Sequence, residues 1–365
     1  MSTLIQPSQQ TGSTLLPRSN QKIVVIQLGD IGDVVLTLPC LESIKAHFTG
    51  CSLAVIVRDK AKDLLSDCQW VDEVYTVSKE RRPFIEGIKY HLGFIATLRK
   101  SHFTIVMDMR TGTRGAFLTL LSGAPHRIGY YADKPFWRNR IYNHLSKIDY
   151  VPSFHVIDFH LSLLAAYNIP AQSREPVLDI SNEKLFEIPE LLSETHIDTN
   201  LPFAVIQPFS LWPYKELKEE RYVQLINWLS QKCGQVIITG GPGEEERAEQ
   251  ICRKTTGQVF NLAGKTSLSR YAALLKLAKF FVGVDSAGLH IAAAVGSPTA
   301  GIFGPSSAVS WAPLGDSHIV ISKKGLDCMP CRQTGCDGSH ISRCLDDLSL
   351  GEITDTLEPW VAAMA

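Results

Sequence analysis

Residues suited to holding an anion stand where an apolar strand, Phe280–Val284, runs directly into a predicted helix of small residues over 287–295. The first backbone N–H groups of a helix have no partner within it. Together with the positive end of the helix dipole they attract phosphate. The sequence therefore predicts a phosphate site here, and its candidate residues are Asp285, Ser286, Ala287, Gly288 and His290.

A structural interpretation of the same residues stays open. Asp285 and Ser286 are residue types that cap helices without binding anything. A protonated histidine is disfavoured near a helix N-terminus, so His290 is expected either to be neutral or to serve a bound anion. A histidine packed in the core is the common alternative.

A carboxylate able to accept a proton follows the first buried strand, Lys22–Leu28. The loop after it reads Gly-Asp-Ile-Gly-Asp and leads into a helix that begins near Asp33. Asp33 is either a helix cap or a general base for a hydroxyl. Asp30 either positions it or is a turn residue, and Gly32 lets the chain turn tightly. The loop is not G-x-G-x-x-G, which disfavours a nicotinamide dehydrogenase.

A lysine, Lys215, lies on a proline-bounded loop after the predicted strand Phe203–Gln207. Carboxyl ends of parallel strands share one sheet edge, so Lys215 is a candidate counter-ion for a diphosphate near Ser286. Gly264 and Thr266 lie on another strand-to-helix loop that could line a base pocket. The turn before Glu244 is followed by further glutamates, which would repel a phosphate.

Four of the nine cysteines are clustered with the pattern C-x2-C-x4-C-x7-C, namely Cys328, Cys331, Cys336 and Cys344. A structural metal, free thiols and a disulfide all remain open for them. No Asp-x-Asp sequence occurs, so the usual acidic pair that holds a divalent metal on a nucleotide sugar is missing. We expect neither a catalytic metal nor a cofactor.

The 365 residues carry 45% apolar and 20% charged residues with a net charge of −1, which is typical of a globular protein of two domains. A balanced charge argues against nucleic acid as a partner. The polar residues 1–20 are predicted to be a disordered tail without an export signal, so we expect a cytoplasmic location. The basic cluster Arg127–Arg140 is either a solvated loop or a patch for an acceptor or an anionic membrane.

Strands, the short one at Thr299–Phe303 among them, and helices alternate along both halves, which predicts parallel sheets wrapped by helices. In addition, the chain resembles the bacterial lipopolysaccharide heptosyltransferases, a group of GT-B glycosyltransferases. The resemblance runs from Lys22 to the last helix and rests on four blocks: QLGDIGDVVLTLPCL (Gln27–Leu41), DMRTGTRGAFLTLLSGAPHRIGY (Asp108–Tyr130), PFSLWPYKELKEERYVQL (Pro208–Leu225) and VDSAGLHIAAAVGSPTAGIFGPS (Val284–Ser306).

This resemblance implies an α/β GT-B fold with two Rossmann-like domains facing each other across a cleft. Its boundaries would be an acceptor domain over 21–175, a linker over 176–200, a nucleotide-sugar domain over 201–348, and a terminal helix over 349–365 that packs back on the first domain.

The activity implied is metal-independent, inverting transfer of a heptose from an ADP-sugar to a lipid-linked core oligosaccharide, with peripheral contact at the inner membrane. Asp33 matches the family's general base and Lys215 its donor-phosphate lysine. Asp285, Ser286 and His290 match its diphosphate block, whereas Asp30, Gly32 and Arg127 fall on the acceptor side. Alternatives are transfer of another sugar to a different surface glycan, or a non-catalytic nucleotide-sugar binding protein.

Two positions depart from the family pattern. Leu36 stands where some members carry a histidine, which removes any acceptor contact from that side chain. The common Lys-x-Trp reads Lys215-Glu216-Leu217, so an aromatic residue near the donor is either missing or replaced by Trp212.

Overall fold

The computed structural model describes residues 9–10 by their backbone, and residues 20–148, 151 and 153–364 in full. The chain divides into two compact units, unit 1 over residues 1–176 and unit 2 over residues 177–365. Most of the predicted N-terminal tail lies outside the described residues. Gln9 and Gln10 form a two-residue strand that pairs with Ser146 and Lys147, which is more order than we predicted for that dipeptide.

Unit 1 is built on one sheet with the order β1-β7-β6-β5-β2-β3-β4, parallel except at β1. The apolar runs at its centre bury on both faces, as expected for parallel strands covered by helices. Its strands are β1 (Gln9–Gln10), β2 (Lys22–Ile26), β3 (Ser52–Arg58), β4 (Glu73–Val77), β5 (Ile105–Asp108), β6 (His126–Tyr130) and β7 (His144–Lys147).

Helices cover both faces of this sheet. One core cluster joins Val24 and Val106 of the sheet to Leu98 and Leu118 of two neighbouring helices, so these two helices pack on the same face. The helices of unit 1 are α1 (Ile31–Val35), α2 (Leu38–His47), α3 (Phe84–Lys100), α4 (Thr113–Leu121) and α5 (Val156–Ala165).

Unit 2 repeats this architecture with a wholly parallel sheet of order β10-β9-β8-β11-β12-β13. Three strands match the sequence prediction to the residue, and the edge strands β10 and β13 were not predicted. The strands are β8 (Phe203–Gln207), β9 (Gln235–Ile238), β10 (Gln258–Asn261), β11 (Phe280–Val284), β12 (Thr299–Phe303) and β13 (His318–Ser322).

The longer helices of unit 2 bury apolar side chains at helical spacing, for example Leu225 and Leu229 on the second of them, α7. The helices are α6 (Asn182–Glu194), α7 (Glu219–Cys233), α8 (Glu245–Lys254), α9 (Leu268–Leu277), α10 (Ala287–Ala294), α11 (Ala308–Trp311), α12 (Arg343–Asp346) and α13 (Leu350–Ala362). Among the described residues, no helix has the length and apolar content that a bilayer span needs.

The structure adds to two of the predicted segments. Residues 350–362 form α13, which packs on α7 and buries Ile353, Leu357 and Val361 in the core of unit 2, while its expected contact with the first domain stays a prediction. Their spacing of four residues forms a single apolar stripe, which the core beside α7 accepts. Residues 176–200 were expected to be a linker, whereas α6 packs on α9 and buries Ile188 and Leu192.

Candidate functional site

Asp33 is the third residue of α1, and Asp30 is the residue that caps this helix. The Asp30 N–H donates to Asp33 Oδ2 over 2.9 Å. The same carboxylate oxygen lies 2.9 Å from Arg110 Nη1, and the Asp33 side chain is 18% exposed. Asp33 is therefore held from two sides yet remains open to solvent, as a group that exchanges protons with a ligand must be.

Glycine is required next to this carboxylate. A Cβ on Gly29 would lie 2.4 Å from Asp33 Oδ2 and 2.5 Å from Arg110 Nη1. Any side chain here would displace the ion pair. The Gly29 N–H donates to Gln27 Oε1 over 3.1 Å, which fixes the loop above the end of β2. Gly32, the other glycine of the loop, lies in the first turn of α1.

A buried polar network lies beneath Asp33. Gln27 Nε2 donates to Thr37 Oγ1 over 2.8 Å, and Thr37 Oγ1 donates to the backbone oxygen of Asp33 over 2.8 Å. His160 Nδ1 lies 3.4 Å from Thr37 Oγ1. Burial lowers the pKa of His160 to about 4 against the opposing effect of the Asp33 carboxylate, so this imidazole is neutral at pH 7.

Arg110 and Arg58 were missed by the sequence reasoning. Arg110 follows β5, Arg58 ends β3, and both strands flank β2 in the sheet. The Arg58 guanidinium lies 2.7 Å from Asp30 Oδ1. The sequence did offer a signal for Arg110, which stands in the Asp108–Tyr130 block just after a predicted strand. It offered no signal for the strand order that brings both arginines to one sheet edge.

A buried ion pair fixes the backbone of Arg110. Arg138, which is fully buried, lies 3.4 Å from Asp108 Oδ2 and donates to the Arg110 backbone oxygen over 2.6 Å. The Arg110 N–H donates to Asp108 Oδ1 over 3.1 Å. Burial raises the pKa of Asp108 to about 6, although Tyr142 and Arg138 oppose the shift. Arg138 therefore supports this loop and is not part of an exposed basic patch.

Arg127, predicted on the acceptor side, is not brought to Asp33. It pairs in register with Val106 of β5, towards the amino ends of the strands, whereas Asp33 follows the carboxyl end of β2. Its guanidinium donates to the backbone oxygens of Ile141 and Ala124 over 2.7 and 2.9 Å. These contacts are those of a structural arginine.

In unit 2, Lys215 and Asp285 form the centre of the second candidate site. Lys215 Nζ lies 2.6 Å from Asp285 Oδ2, and the side chains are 20% and 5% exposed. Asp285 follows β11, which neighbours β8 and its Lys215 loop. Burial opposes ionisation of Asp285, but Lys215 and His290 outweigh it and hold the pKa of the carboxyl below its usual value. His290 Nε2 lies 3.9 Å from Asp285 Oδ1.

Ser286 is the residue before α10, and its extended backbone starts the helix. Gln207 Nε2 lies 3.4 Å from Ser286 Oγ, and the Tyr271 hydroxyl donates to Gln207 Oε1. A Cβ on Gly288 would lie 2.1 Å from Gln207 Oε1 and 2.6 Å from the Tyr271 hydroxyl. Glycine is therefore needed in the first turn, and Ala287 before it is equally small.

Gly264 and Thr266 follow β10, three strands away from β11, which is roughly 14 Å at about 4.8 Å per strand. Gly264 adopts a positive φ of 70°, and a Cβ there would lie 2.2 Å from Glu245 Oε1. The structure thus places Gly264 and Thr266 on the same sheet edge as Lys215 but beside acidic residues of α8. A phosphate is disfavoured at this end, as the sequence indicated.

The loop that carries Lys215 is held by two further contacts. Glu216 accepts from the Ser210 N–H over 2.9 Å and lies 2.5 Å from Arg247 Nη2. Leu217 occupies the position where the family often has tryptophan, and its side chain is buried in the core of unit 2, where it supports the loop by apolar packing. Trp212, half exposed on the same loop, stays the predicted substitute aromatic residue.

The four clustered cysteines belong to a loop that contacts the Lys215 loop. Ser342 Oγ donates to the Tyr214 backbone oxygen over 2.6 Å, and the Arg332 N–H donates to the Pro305 oxygen over 2.8 Å. All four thiols are free. Burial, with a further contribution from the three other thiols, raises the pKa of Cys344 to about 11. Within the described part of the chain, no three His, Cys, Asp or Glu side chains are grouped so as to hold a metal ion.

Residues 92–341 match the family model described as glycosyltransferase family 9 (heptosyltransferase). The chain is 26% identical over 307 residues to lipopolysaccharide heptosyltransferase 3 of Escherichia coli K12, covering 82% of this chain and 88% of the relative. It is 24% identical over 353 residues to lipooligosaccharide heptosyltransferase 2 of Haemophilus influenzae, covering 92% and 99%.

Solved structures share the fold. A family 9 glycosyltransferase from Veillonella parvula superposes with a TM-score of 0.81 at 18% identity and covers 96% of this chain and 99% of its own. The E. coli heptosyltransferase WaaC with ADP superposes with a TM-score of 0.71 at 20% identity and covers 93% and 99%. The predicted α/β fold of GT-B type with two Rossmann-like domains is thereby confirmed.

Proposed function

The chain belongs to glycosyltransferase family 9, the heptosyltransferases, and we propose that it moves a heptose from ADP-heptose to a lipopolysaccharide core or a related glycan, with inversion at the anomeric carbon. One observation carries the proposal. The chain sets a solvent-accessible carboxylate, Asp33, at the strand ends of unit 1, and a lysine, Lys215, with the start of α10, groups suited to an anion, at the strand ends of unit 2. Sugar transfer from a diphosphate needs these two functions.

The donor would bind to unit 2 through its diphosphate. The bare N–H groups of Ala287 and Gly288 at the start of α10 supply partial positive charge, and Lys215 supplies a full one. WaaC, a structural relative, has been solved with ADP and with ADP-2-deoxy-2-fluoro heptose, which supports an ADP-sugar as the donor. The base would extend along the sheet edge towards Gly264 and Thr266.

The acceptor hydroxyl would be activated by Asp33. Its oxygen attacks the anomeric carbon of the donor, and its proton passes to the Asp33 carboxylate. The bond between the anomeric carbon and the phosphate oxygen breaks, and that electron pair leaves with ADP. Attack from the face opposite the leaving group inverts the anomeric centre. Arg110 keeps the carboxylate oriented for this transfer.

Stabilisation of the leaving diphosphate would come from protein cations and dipoles and not from a bound divalent metal. Lys215 lies on a loop clamped by Glu216 and Arg247, so its ammonium is preorganised beside the helix N-terminus. Fixed charge directed at the developing negative charge lowers the barrier without reorganisation. His290, buried behind Asp285, would hold that carboxylate and the start of α10 in place.

The acceptor is proposed to be a lipid-linked core oligosaccharide presented at the inner face of the cytoplasmic membrane. The relatives at 24 to 26% identity are named for transfer to lipopolysaccharide or lipooligosaccharide, which supports this acceptor class. Besides Arg110, which contacts the proposed base directly, the ion pair of Asp30 and Arg58 supplies polar side chains beside it for the acceptor.

The test is a transfer assay with the purified full chain, ADP-heptose and heptose-deficient core glycolipid. We expect a glycolipid one heptose heavier, released ADP in equal amount, and an anomeric configuration opposite to that of the donor. UDP- and GDP-sugars serve as controls. Transfer from one of these and not from ADP-heptose would replace the donor, and tight donor binding without any turnover would make the chain a binding protein.

A further inference from the structure

The outer face of α3 carries large apolar side chains that point to solvent. At 3.6 residues per turn, the four of them fall within an arc of about 100°. Leu98 and Phe94, on another side of the helix, anchor α3 to the sheet. The exposed stripe is therefore not needed to hold α3 in place. Its members, with their exposed fractions, are Phe84 (83%), Ile85 (68%), Ile88 (43%) and Leu92 (61%).

The stripe continues on α4 and on the short 3-10 helix at Phe136–Arg140. Phe117 and Leu120, one turn apart on α4, are 50% and 47% exposed. The ring of Phe117 lies 5.2 Å from that of Trp137, and Phe136 is 62% exposed. Because α3 and α4 are neighbours on the same face of the sheet, these residues lie on the same side of unit 1 as the α3 stripe, and together they are called the α3–α4 surface below.

Cations surround this surface. Residues 79–100 contain six Lys or Arg and two Glu, although the whole chain has a net charge of −1. Lys79, Arg81 and Lys89 are exposed around the start of α3, and Arg140 is exposed beside Phe136. A local excess of four positive charges next to apolar side chains suits a partner that is both anionic and apolar.

A polar cavity of about 320 Å³ opens beside the first turns of α3. The Arg82 guanidinium lies 4.0 Å from the centre of the Tyr90 ring and 3.2 Å from Glu80, and Arg114 Nη2 donates to the Ser78 oxygen over 2.9 Å. Cations thus outnumber the single acid in it. Its lining is Ser78, Lys79, Glu80, Arg82, Gly87, Tyr90, His91 and Arg114.

We propose that the α3–α4 surface docks on an anionic phospholipid membrane, with the apolar side chains among the acyl chains and the cavity around a headgroup phosphate. The inference rests on the proposed function, because a lipid-linked acceptor has to be met at a membrane. It centres the contact on α3 and α4 and takes in only the Phe136–Arg140 end of the basic cluster Arg127–Arg140, which the sequence left open as a solvated loop or a patch. Two arginines of that cluster, Arg127 and Arg138, are engaged with backbone oxygens inside unit 1.

The direct test is co-sedimentation of the full chain with phosphatidylcholine vesicles that contain or lack phosphatidylglycerol. We expect binding to the vesicles with phosphatidylglycerol, weak binding to the neutral ones, and loss of binding as salt screens the cations. Equal binding to both kinds of vesicle, or no binding to either, overturns the proposal.

Variants test the surface itself. The double substitution Ile85→Ser/Ile88→Ser should lower the vesicle partition coefficient by about tenfold or more, because two apolar side chains no longer enter the bilayer. The charge reversal Arg81→Glu/Lys89→Glu should lower it by at least about tenfold as well. Matched controls on unit 2 are Phe186→Ser, 80% exposed on α6, and Lys324→Glu, and neither should change binding.

Circular dichroism and ADP binding, measured on every variant, show whether it is folded. If the α3 variants bind vesicles as the wild type does, the surface is not a membrane contact. The same holds if the wild type self-associates and the variants are monomeric, because the surface would then join copies of the chain. Vesicle binding needs no donor sugar. A protein that transfers heptose to a detergent-dispersed acceptor but ignores vesicles therefore refutes the docking surface alone, and the reverse result refutes the transfer alone.

Discussion

Lys215 Nζ lies 2.6 Å from Asp285 Oδ2, and this ion pair joins the two adjacent strand ends that carry the proposed anion site of unit 2. The carboxylate is 5% exposed and the ammonium 20%, so the pair is shielded from water. In such a setting each charge depends on the other. A donor diphosphate would compete with Asp285 for the lysine, which makes the pair the switch between the empty and the bound state.

Lys215→Met should therefore have two effects. It should weaken ADP binding, because the phosphate loses a cation. It should also lower the free energy of unfolding by about 2–3 kcal/mol, because Asp285 is left buried without its partner. Calorimetry with ADP and urea unfolding measure the two separately.

The double variant Lys215→Met/Asp285→Asn separates these effects. Stability should return towards that of the wild type, because no unpaired charge remains, whereas ADP affinity should stay low. If the double variant regains ADP binding together with stability, Lys215 is a structural residue only, and the donor site has to be moved.

Gly288→Ala should disturb the start of α10. The added Cβ meets Gln207 Oε1 and the Tyr271 hydroxyl at 2.1 and 2.6 Å, and overpacking of this kind costs about 1–3 kcal/mol. ADP affinity should fall with it, because the helix start is displaced. Gly351→Ala on α13 is the control, because the nearest atom to its added Cβ is 4.0 Å away. It should lower neither the stability nor the affinity for ADP.

Arg110→Met should lower the turnover number by about tenfold to a hundredfold, because the Asp33 carboxylate loses its orienting partner. Stability should change by about 1 kcal/mol or less, since the arginine side chain is 45% exposed. Arg58→Met, which removes a contact to Asp30 and not to Asp33, is the matched control and should retain more activity. Equal turnover for the two variants would contradict a special role for Arg110.

His160 predicts a pH dependence of stability. Burial lowers its folded pKa to about 4, whereas the unfolded imidazole titrates near 6.5. Between about pH 4 and pH 6.5 the unfolded state therefore binds a proton that the folded state does not. The stability that comes from keeping His160 neutral is complete above about pH 6.5 and is lost as the pH falls to 4. The loss amounts to about 2.5 kcal/mol at pH 4.5.

The variant His160→Asn isolates this contribution, because Asp108, with a pKa raised to about 6, acts in the opposite direction in both proteins. Urea unfolding at pH 7 and pH 4.5 should show a smaller loss on acidification in the variant than in the wild type. An identical loss would mean that His160 is not the neutral buried group described.

The sequence predicted best where one physical effect dominates. Strands β8, β11 and β12 are continuous apolar runs between turn residues, and their ends were predicted to the residue because burial on both faces leaves little choice. The placement of Asp33 and Ser286 at strand-to-helix junctions followed from local patterns in the same way. The edge strand β10 was missed because Gln258–Asn261 is short and half polar.

What the sequence could not supply was adjacency across the sheet. Arg58 is 25 residues from Asp33 in the numbering and Arg110 is 77, yet the order β5-β2-β3 brings all three to one edge. Arg127 shows the opposite case, since it looked like part of a basic surface but lies at the amino end of β6 with backbone oxygens as partners. Such positions depend on tertiary packing that no local pattern encodes.

The central claim is that Asp33 is the general base of sugar transfer, and Asp33→Asn tests it most directly. The amide keeps an oxygen for the Asp30 N–H but cannot take up a proton. Single-turnover transfer from bound ADP-heptose should slow by about 10²- to 10⁴-fold while the affinity for the donor stays unchanged. Transfer at a rate near that of the wild type, with the donor bound equally well, would contradict the account.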